Sequence, residues 1–402
     1  MSDSAIPQTM SAGSAREVFA VFLRLGLTSF GGPIAHIGYF REEFVARRRW
    51  LAEPAFADLV ALCQFLPGPA SSQVGMGLGL MRAGLPGMAA AWIGFTLPSA
   101  LLMLAIAYGA TSLGGMAGAG WLGGLKAAAV AIVAQAVLGM AQSLCPDRPR
   151  QTLALLAAAG AVLLPGAGGQ VGVILGGGLA GLVWLTAPPR AEAGHIAVTI
   201  GRRGAVMALI LFAVLLVALP LAAQASGDGA LRLVDAMYRA GALVFGGGHV
   251  VLPLIEAELV GPTGLSRELF LAGYGAVQAM PGPLFSFTAY VGALMPAPPN
   301  GAAGAALALV AAFLPSALLI YGALPFWAGL SHDARARNAL SGINAAVVGL
   351  LGAALWDPVA TAGITSAPGF AIALICYLAI ALWRIPVWAV VLGAAGLGAA
   401  LL

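Results

Sequence analysis

Residues Arg24–Pro33 read RLGLTSFGGP, and residues Arg239–Gly248 read RAGALVFGGG. Aligning Arg24 with Arg239 sets an offset of 215 residues (239 against 24). The same offset pairs Gly26 with Gly241, Phe30 with Phe245, and Gly31-Gly32 with Gly246-Gly247. Three further landmarks follow in the same order. Gln64-Phe65-Leu66-Pro67-Gly68-Pro69 matches Gln278-Ala279-Met280-Pro281-Gly282-Pro283 at an offset of 214 (278 against 64). Leu97-Pro98-Ser99-Ala100-Leu101 matches Leu314-Pro315-Ser316-Ala317-Leu318 at 217 (315 against 98). Gly124-Leu125-Lys126-Ala127 matches Gly342-Ile343-Asn344-Ala345 at 218 (342 against 124). One order at a nearly constant offset marks an internal duplication.

The chain is 60% hydrophobic and 8% charged, and that charged share is about a third of the level in soluble domains. Apolar runs near or above the ~20 residues of a spanning helix recur at Leu85–Ala110, Trp121–Ser143, Gly204–Ala225, Ala302–Trp327 and Leu340–Trp356. These runs predict an all-α polytopic membrane protein surrounded by the lipid bilayer. Most small-residue spacings are helix packing. The Gly/Pro clusters of the repeated landmarks differ, because they break a helix. A broken helix at membrane depth is tolerated only where protein or a water-filled cavity surrounds it. Cys63, Cys145 and Cys376 are scattered, so neither a metal site nor a disulfide framework is expected. The polar tail, 1–15, lacks the basic start and apolar core of a signal peptide.

Six elements can be read in the first repeat, 16–186: 16–44, 54–82, 85–111, 121–143, 151–165 and 169–186. A linker and one unpaired span occupy 187–229. The second repeat, 230–402, has elements at 230–260, 267–295, 302–327, 338–357, 367–383 and 385–402. A single linking transmembrane helix between halves of even crossing number forces inverted topology, a recurrent plan of secondary transporters. Loop charges agree with inversion. Arg41 and Arg47–Arg49 face a counterpart loop holding only Arg267, whereas Arg335 and Arg337 match an uncharged loop. Those arginines stay on the cytoplasmic side if the first two elements are re-entrant hairpins bent at their Gly/Pro breaks, kinked spanning helices being the alternative. The resulting expectation is a plasma (inner) membrane protein with a cytoplasmic N-terminus and an outside C-terminus.

Arg24 and Arg239 each lie six residues before an FGG break, and Lys126 sits inside a span. Charges placed so mark a substrate path by default, snorkelling to the headgroups being the bland alternative. Two arginines and a lysine suit a dianion. Half-helices starting after Gly31-Gly32-Pro33, Pro67-Gly68-Pro69, Gly246-Gly247 and Pro281-Gly282-Pro283 would add backbone N–H groups and dipole ends, with Phe30 and Phe245 beside them. Gln64 and Gln278 could donate to an anion or join helices. The substrate-site set is completed by Asn344, which stands where Lys126 stands in the first copy. His36, Asp58 and His249 are the proton-coupling candidates. Glu42, Glu43, Glu256 and Glu258 end the first hairpins, where surface pairing with Arg41 or Arg47 competes with any coupling role. No nucleotide-binding loop, paired-histidine zinc helix or nucleophile elbow occurs, so an enzyme, a cofactor and a nucleic-acid partner are not expected. A homodimer is left open.

The FGG-P hairpin after Arg-x-Gly, the QFLPGPAS run Gln64–Ser71 and the QAMPGPLF run Gln278–Phe285 resemble the chromate ion transporter family in its long, two-domain form. The resemblance implies efflux of chromate, a sulfate-like oxyanion, driven by the proton motive force, with protons as coupling partner and chromate resistance as outcome. Uptake or exchange of sulfate is the rival within transport, and a passive anion channel the rival outside it. The second copy departs at Gly248 for Pro33 and at Asn344 for Lys126, so the first half carries more positive charge. On that ground Arg24 is expected to matter more than Arg239.

Overall fold

The structure is a computed structural model describing residues 13–112, 120–164, 166–186, 200–245, 251–260, 263–327 and 333–402. Among the described residues it is helical throughout, with one isolated bridge between Val260 and Leu265. Five helices are long and apolar enough to cross a membrane, within 70–109, 120–144, 202–226, 301–326 and 334–363.

The first element folds back on itself. Helix α1 (Ala15–Thr28) starts at Ser14, whose hydroxyl accepts from the Glu17 amide at 3.1 Å. It ends at Ser29, and Gly31 takes a left-handed φ of 100° before α2 (Gly32–Arg41), which runs on as a π-turn over Glu42–Arg47. Contacts between the arms widen steadily in sequence away from the break. His36 Nε2 lies 3.2 Å from Ser29 O, Phe22 stacks on Phe44 at 5.1 Å, and Arg48 approaches Glu17 at 3.9 Å. That order defines an antiparallel hairpin. At 1.5 Å per residue α1 is about 21 Å long, short of the ~30 Å hydrocarbon core.

A second hairpin follows. Helix α3 (Glu53–Phe65) meets α4 (Ala70–Ser112) through Leu66-Pro67-Gly68-Pro69, and Leu59 lies over Gly77. Helix α4 is broken at Ala83 and Gly84, so its longer arm from Leu85 returns along the first, Gly87 against Gly79. Helices α5 (Gly120–Leu144), α6 (Arg148–Leu163) and α7 (Ala167–Trp184) complete this half. Helix α8 (Arg202–Ser226) links the halves with Met207, Val214, Val217 and Leu221 exposed, which is the composition of a lipid-facing surface.

The second half repeats the order. Helices α9 (Gly229–Leu243) and α10 (Val251–Leu259) flank the second FGG break. Next come α11 (Arg267–Val277), α12 (Phe287–Ala293) and α13 (Gly301–Ala323), with Gly304 against Gly292 just as Gly87 meets Gly79. Helices α14 (Ala334–Ala354), α15 (Ala367–Ala381) and α16 (Val387–Leu401) end the chain. At the expected end of its element the chain breaks at Asp357, where φ is −131° and ψ 119°, and a short helical turn then runs to Gly363.

The halves are interlocked. Helix α5 packs on α15 and α16 of the second half, and its counterpart α14 packs on α6 and α7 of the first. Small residues allow both contacts: Gly124 abuts the Ala394 carbonyl, and Gly342 abuts that of Gly177. The glycine of each Arg-x-Gly does the same work within its own half. A methyl at Gly26 would lie 2.7 Å from Phe95 O, and one at Gly241 would run into Ala312 O.

Candidate functional site

The two Pro-Gly-Pro turns each cross into the opposite half. The Gly68 amide donates to Val244 O at 2.6 Å, and the Gly282 amide donates to Ser29 O at 2.9 Å. Each acceptor immediately precedes the Phe of an FGG break, and Ser29 and Val244 differ by the repeat offset of 215 (244 against 29). The Leu-Pro-Ser landmark joins in the same crosswise manner. A methyl at Gly282 would lie 3.0 Å from Ser99 Oγ, and one at Gly68 would meet Ser316 Oγ. Three of the four landmarks therefore converge on one seam, each paired with the other half.

Around this seam lies a buried polar cluster comprising Ser29, His36, Ser71, Ser72, Gln73, Ser99 and Ser316, none more than 4% exposed. His36 ties it together, with Nε2 at 3.2 Å from Ser29 O and Nδ1 at 3.4 Å from Ser71 Oγ. A carbonyl can only accept, so Nε2 carries a proton. Gln73 Nε2 donates to Pro67 O at 2.7 Å and braces the turn. Ser71, Ser72 and Gln73 occupy the first turn of α4, whose leading N–H groups have no helical acceptor.

The charged residues form separate clasps. Arg24 pairs with Glu43 at 2.5 Å, and Glu43 also receives Arg48 at 2.5 Å and Arg47 at 3.2 Å. Arg239 pairs with Glu258 at 2.5 Å and with Asp235 at 2.7 Å. Glu43 and Glu258 again differ by 215 (258 against 43), so the same arginine–glutamate clasp closes both first hairpins. Their surroundings differ. Among the described residues, Arg24, Arg47, Arg48 and Arg82 of the first half outnumber Glu17 and Glu43, whereas Arg239 stands alone against two acids.

A family model described as chromate transporter matches residues 16–182 and again residues 231–399. The chain belongs to the chromate transporter family. It is 31% identical over 360 residues to a chromate transport protein of Pseudomonas aeruginosa, covering 88% of this chain and 82% of the relative. To a chromate transport protein of Cupriavidus metallidurans it is 27% identical, covering 86% and 84%. An uncharacterized transporter of Methanocaldococcus jannaschii is 27% identical, with 84% and 83% covered. No solved structure matches.

In this family member the seam gathers Pro67-Gly68-Pro69, Pro281-Gly282-Pro283 and His36 from the expected site, while Gly31, Gly32 and Pro33 lead from Ser29 into α2 with Gly31 exposed and open space around Gly32. Phe245 follows Val244 directly, and Phe30 leaves the seam to meet Trp388 of α16 with ring centres 6.2 Å apart. Among the described residues no hydrogen bond or ion pair joins Arg24, Arg239, Lys126 or Asn344 to the cluster. Lys126 is half-buried on α5 and acts electrostatically on Glu268, while Asn344 is half-buried on α14. Gln64 is exposed, Gln278 hydrogen-bonds with Tyr274, and Asp58 is buried on α3. Gly246, Gly247 and His249 lie outside the described residues. Sequence reasoning gave no role to Ser29, Ser71, Gln73, Ser99 or Ser316, although Ser29, Ser99 and Ser316 sit inside landmarks. For the clasp glutamates the sequence leaves surface pairing with Arg41 or Arg47 and a coupling role in competition, and their shared offset is the signal that points to the clasps.

Proposed function

We propose that the chain is a secondary transporter that exports chromate across the inner (plasma) membrane on the proton motive force, and so confers chromate resistance. Its halves are inverted, with the N-terminus cytoplasmic and the C-terminus outside. The observation that carries this reading is the crosswise pair of backbone bonds, Gly68 to Val244 and Gly282 to Ser29. Two equivalent breaks meeting at one seam suit a transporter in which one half rocks against the other around a fixed site. Opening toward either side would separate the contacts of one crossing and keep those of its counterpart.

Physical chemistry favours the outward direction. An inside-negative potential drives a dianion outward by about 4.6 kcal/mol per 100 mV. Arg41 and Arg47–Arg49, exposed at the base of the first hairpin, would concentrate anions at the cytoplasmic mouth. Among the proton-coupling candidates, His36 is the one bonded into the seam.

Everted membrane vesicles test the proposal. On energisation they should accumulate chromate, lose it on addition of an uncoupler, and show faster labelled uptake when unlabelled sulfate waits inside. Equal chromate in energised and de-energised everted vesicles would contradict export. Accumulation without acceleration by internal sulfate would favour the channel.

A further inference from the structure

We propose that the transported dianion is held at the seam by neutral donors, the hydroxyls of Ser316, Ser29 and Ser72 with the leading amides of α4, and that Arg24 and Arg239 are not its ligands. The proposal rests on the oxyanion-transport reading above and names the site within it.

Three observations carry it. First, Ser29 Oγ, Ser72 Oγ and Ser316 Oγ are buried and have no hydrogen-bond partner among the described residues. A hydroxyl left so in a folded interior costs free energy, and each such group calls for an explanation. Three of them on one seam are explained together by a ligand that accepts from all. Second, the three residues lie along one turn of the seam. Ser316 Oγ sits where a side chain on Gly68 would go, and Gly68 stands two residues before the first residue of α4. Ser72 is in the first turn of α4, and Ser29 is tied to that turn through His36 and Ser71. The amides of Ala70, Ser71 and Ser72, ahead of the first helical bond from Gln73 to Pro69 O, and the positive end of the α4 dipole belong to the same turn. Third, both arginines are committed. Arg24 is held by Glu43, and Arg239 by Glu258 and Asp235 together, so a dianion would have to displace carboxylates already in contact.

A site of this kind adds no protein charge to its cargo. Its fit is to an oxyanion with several acceptor oxygens, and sulfate is the non-oxidising probe of the same chemistry. A ligand offering a single carbonyl oxygen would use fewer of the hydroxyls.

The test is thermal melting of the purified full-length protein in detergent, with millimolar sodium sulfate against sodium chloride of equal ionic strength. Wild type should be stabilised by sulfate. Ser316→Ala and Ser29→Ala should melt no lower than wild type in chloride, because each removes an unpartnered group, and should need about tenfold more sulfate for the same shift, the value of one hydrogen bond to a charged acceptor. Arg24→Gln combined with Glu43→Gln should keep the sulfate response of wild type. An undiminished sulfate shift in both serine variants, loss of the shift in the Arg24/Glu43 pair, or no shift in wild type would each overturn the assignment. Lower melting of the serine variants in chloride would give them a structural role and overturn it too. These readouts involve no flux, so failure of chromate export in energised vesicles would be seen separately.

Discussion

The amide of Gly68 reaches across the two halves to the carbonyl of Val244 at 2.6 Å, and Gly282 repeats the reach to Ser29 at 2.9 Å. Both glycines hold left-handed φ values, 124° and 92°, that side chains rarely adopt. Both are also crowded, by Ser316 and Gln73 at one and by Phe95 and Ser99 at the other. Gly68→Ala and Gly282→Ala should therefore each lose about 1–2 kcal/mol to backbone strain, plus the cost of displacing packed neighbours. Melting of the purified variants checks this, and wild-type melting in either would remove the turn from the seam.

Arg239 should matter more to folding than Arg24, whereas the sequence reading ranks Arg24 first for binding the substrate. Removing Arg239 leaves Asp235 and Glu258 facing each other with side chains only 7% and 19% exposed. Such an unpaired buried charge costs about 3–5 kcal/mol. Removing Arg24 leaves Glu43 with Arg47 and Arg48, and Arg24 itself is 44% exposed, so about 1 kcal/mol or less is at stake. The amount of membrane-inserted, folded protein should fall for Arg239→Ala and hold for Arg24→Ala. Adding Asp235→Asn and Glu258→Gln should restore much of the loss.

Glu43 lies at the base of the first hairpin, outside the spanning helices. Burial alone would raise its carboxyl, but hydrogen bonds from Arg48 and Arg24 and their charges outweigh that and hold it below its ordinary value of 4.5. A carboxylate depressed by folding contributes stability above its unfolded pKa and loses it as pH falls through the folded one. The clasp is thus fully formed at neutral pH and fails only in acid below the ordinary glutamate range. Glu43→Gln should leave the shape of the transport–pH profile unchanged between about pH 5 and pH 8. A shifted midpoint within that window would make Glu43 a proton carrier.

Ala46 is exposed beside Arg47–Arg49 at the same base. With inverted halves and a re-entrant first hairpin, a cysteine at Ala46 reacts with an impermeant thiol reagent from the cytoplasmic side alone. Labelling of intact cells from outside would replace the hairpin with two ordinary crossings.

Much of the architecture was legible because helix breakers and apolar length are local signals. The ends of α1, α3 and α11 fall where FGG and Pro-Gly-Pro interrupt apolar runs, and α8 stands out as the span without a counterpart. The exchange of α5 and α14 between halves was not legible, since Gly124 and Gly342 show a close contact without naming the partner helix. The seam was hidden for a related reason. Its defining bonds run from backbone N–H to backbone carbonyl, and no residue type announces them. Arginines drew attention because charge in an apolar stretch is costly, yet the clasp glutamates Glu43 and Glu258 that pair with them lie 19 residues away in sequence. Small hydroxyl residues such as Ser29 and Ser316 carry no comparable alarm.

The most direct measurement is thiol protection at the seam. In a background with Cys63, Cys145 and Cys376 replaced, Ser99→Cys and Ser316→Cys would each be reacted with a small methanethiosulfonate in oriented vesicles, with and without sulfate. A shared central site requires sulfate to slow modification at both positions, one from each half, and to leave an exposed control such as Ala46→Cys unaffected. Modification indifferent to sulfate at both serine positions, in vesicles that still transport chromate, would put the substrate path elsewhere.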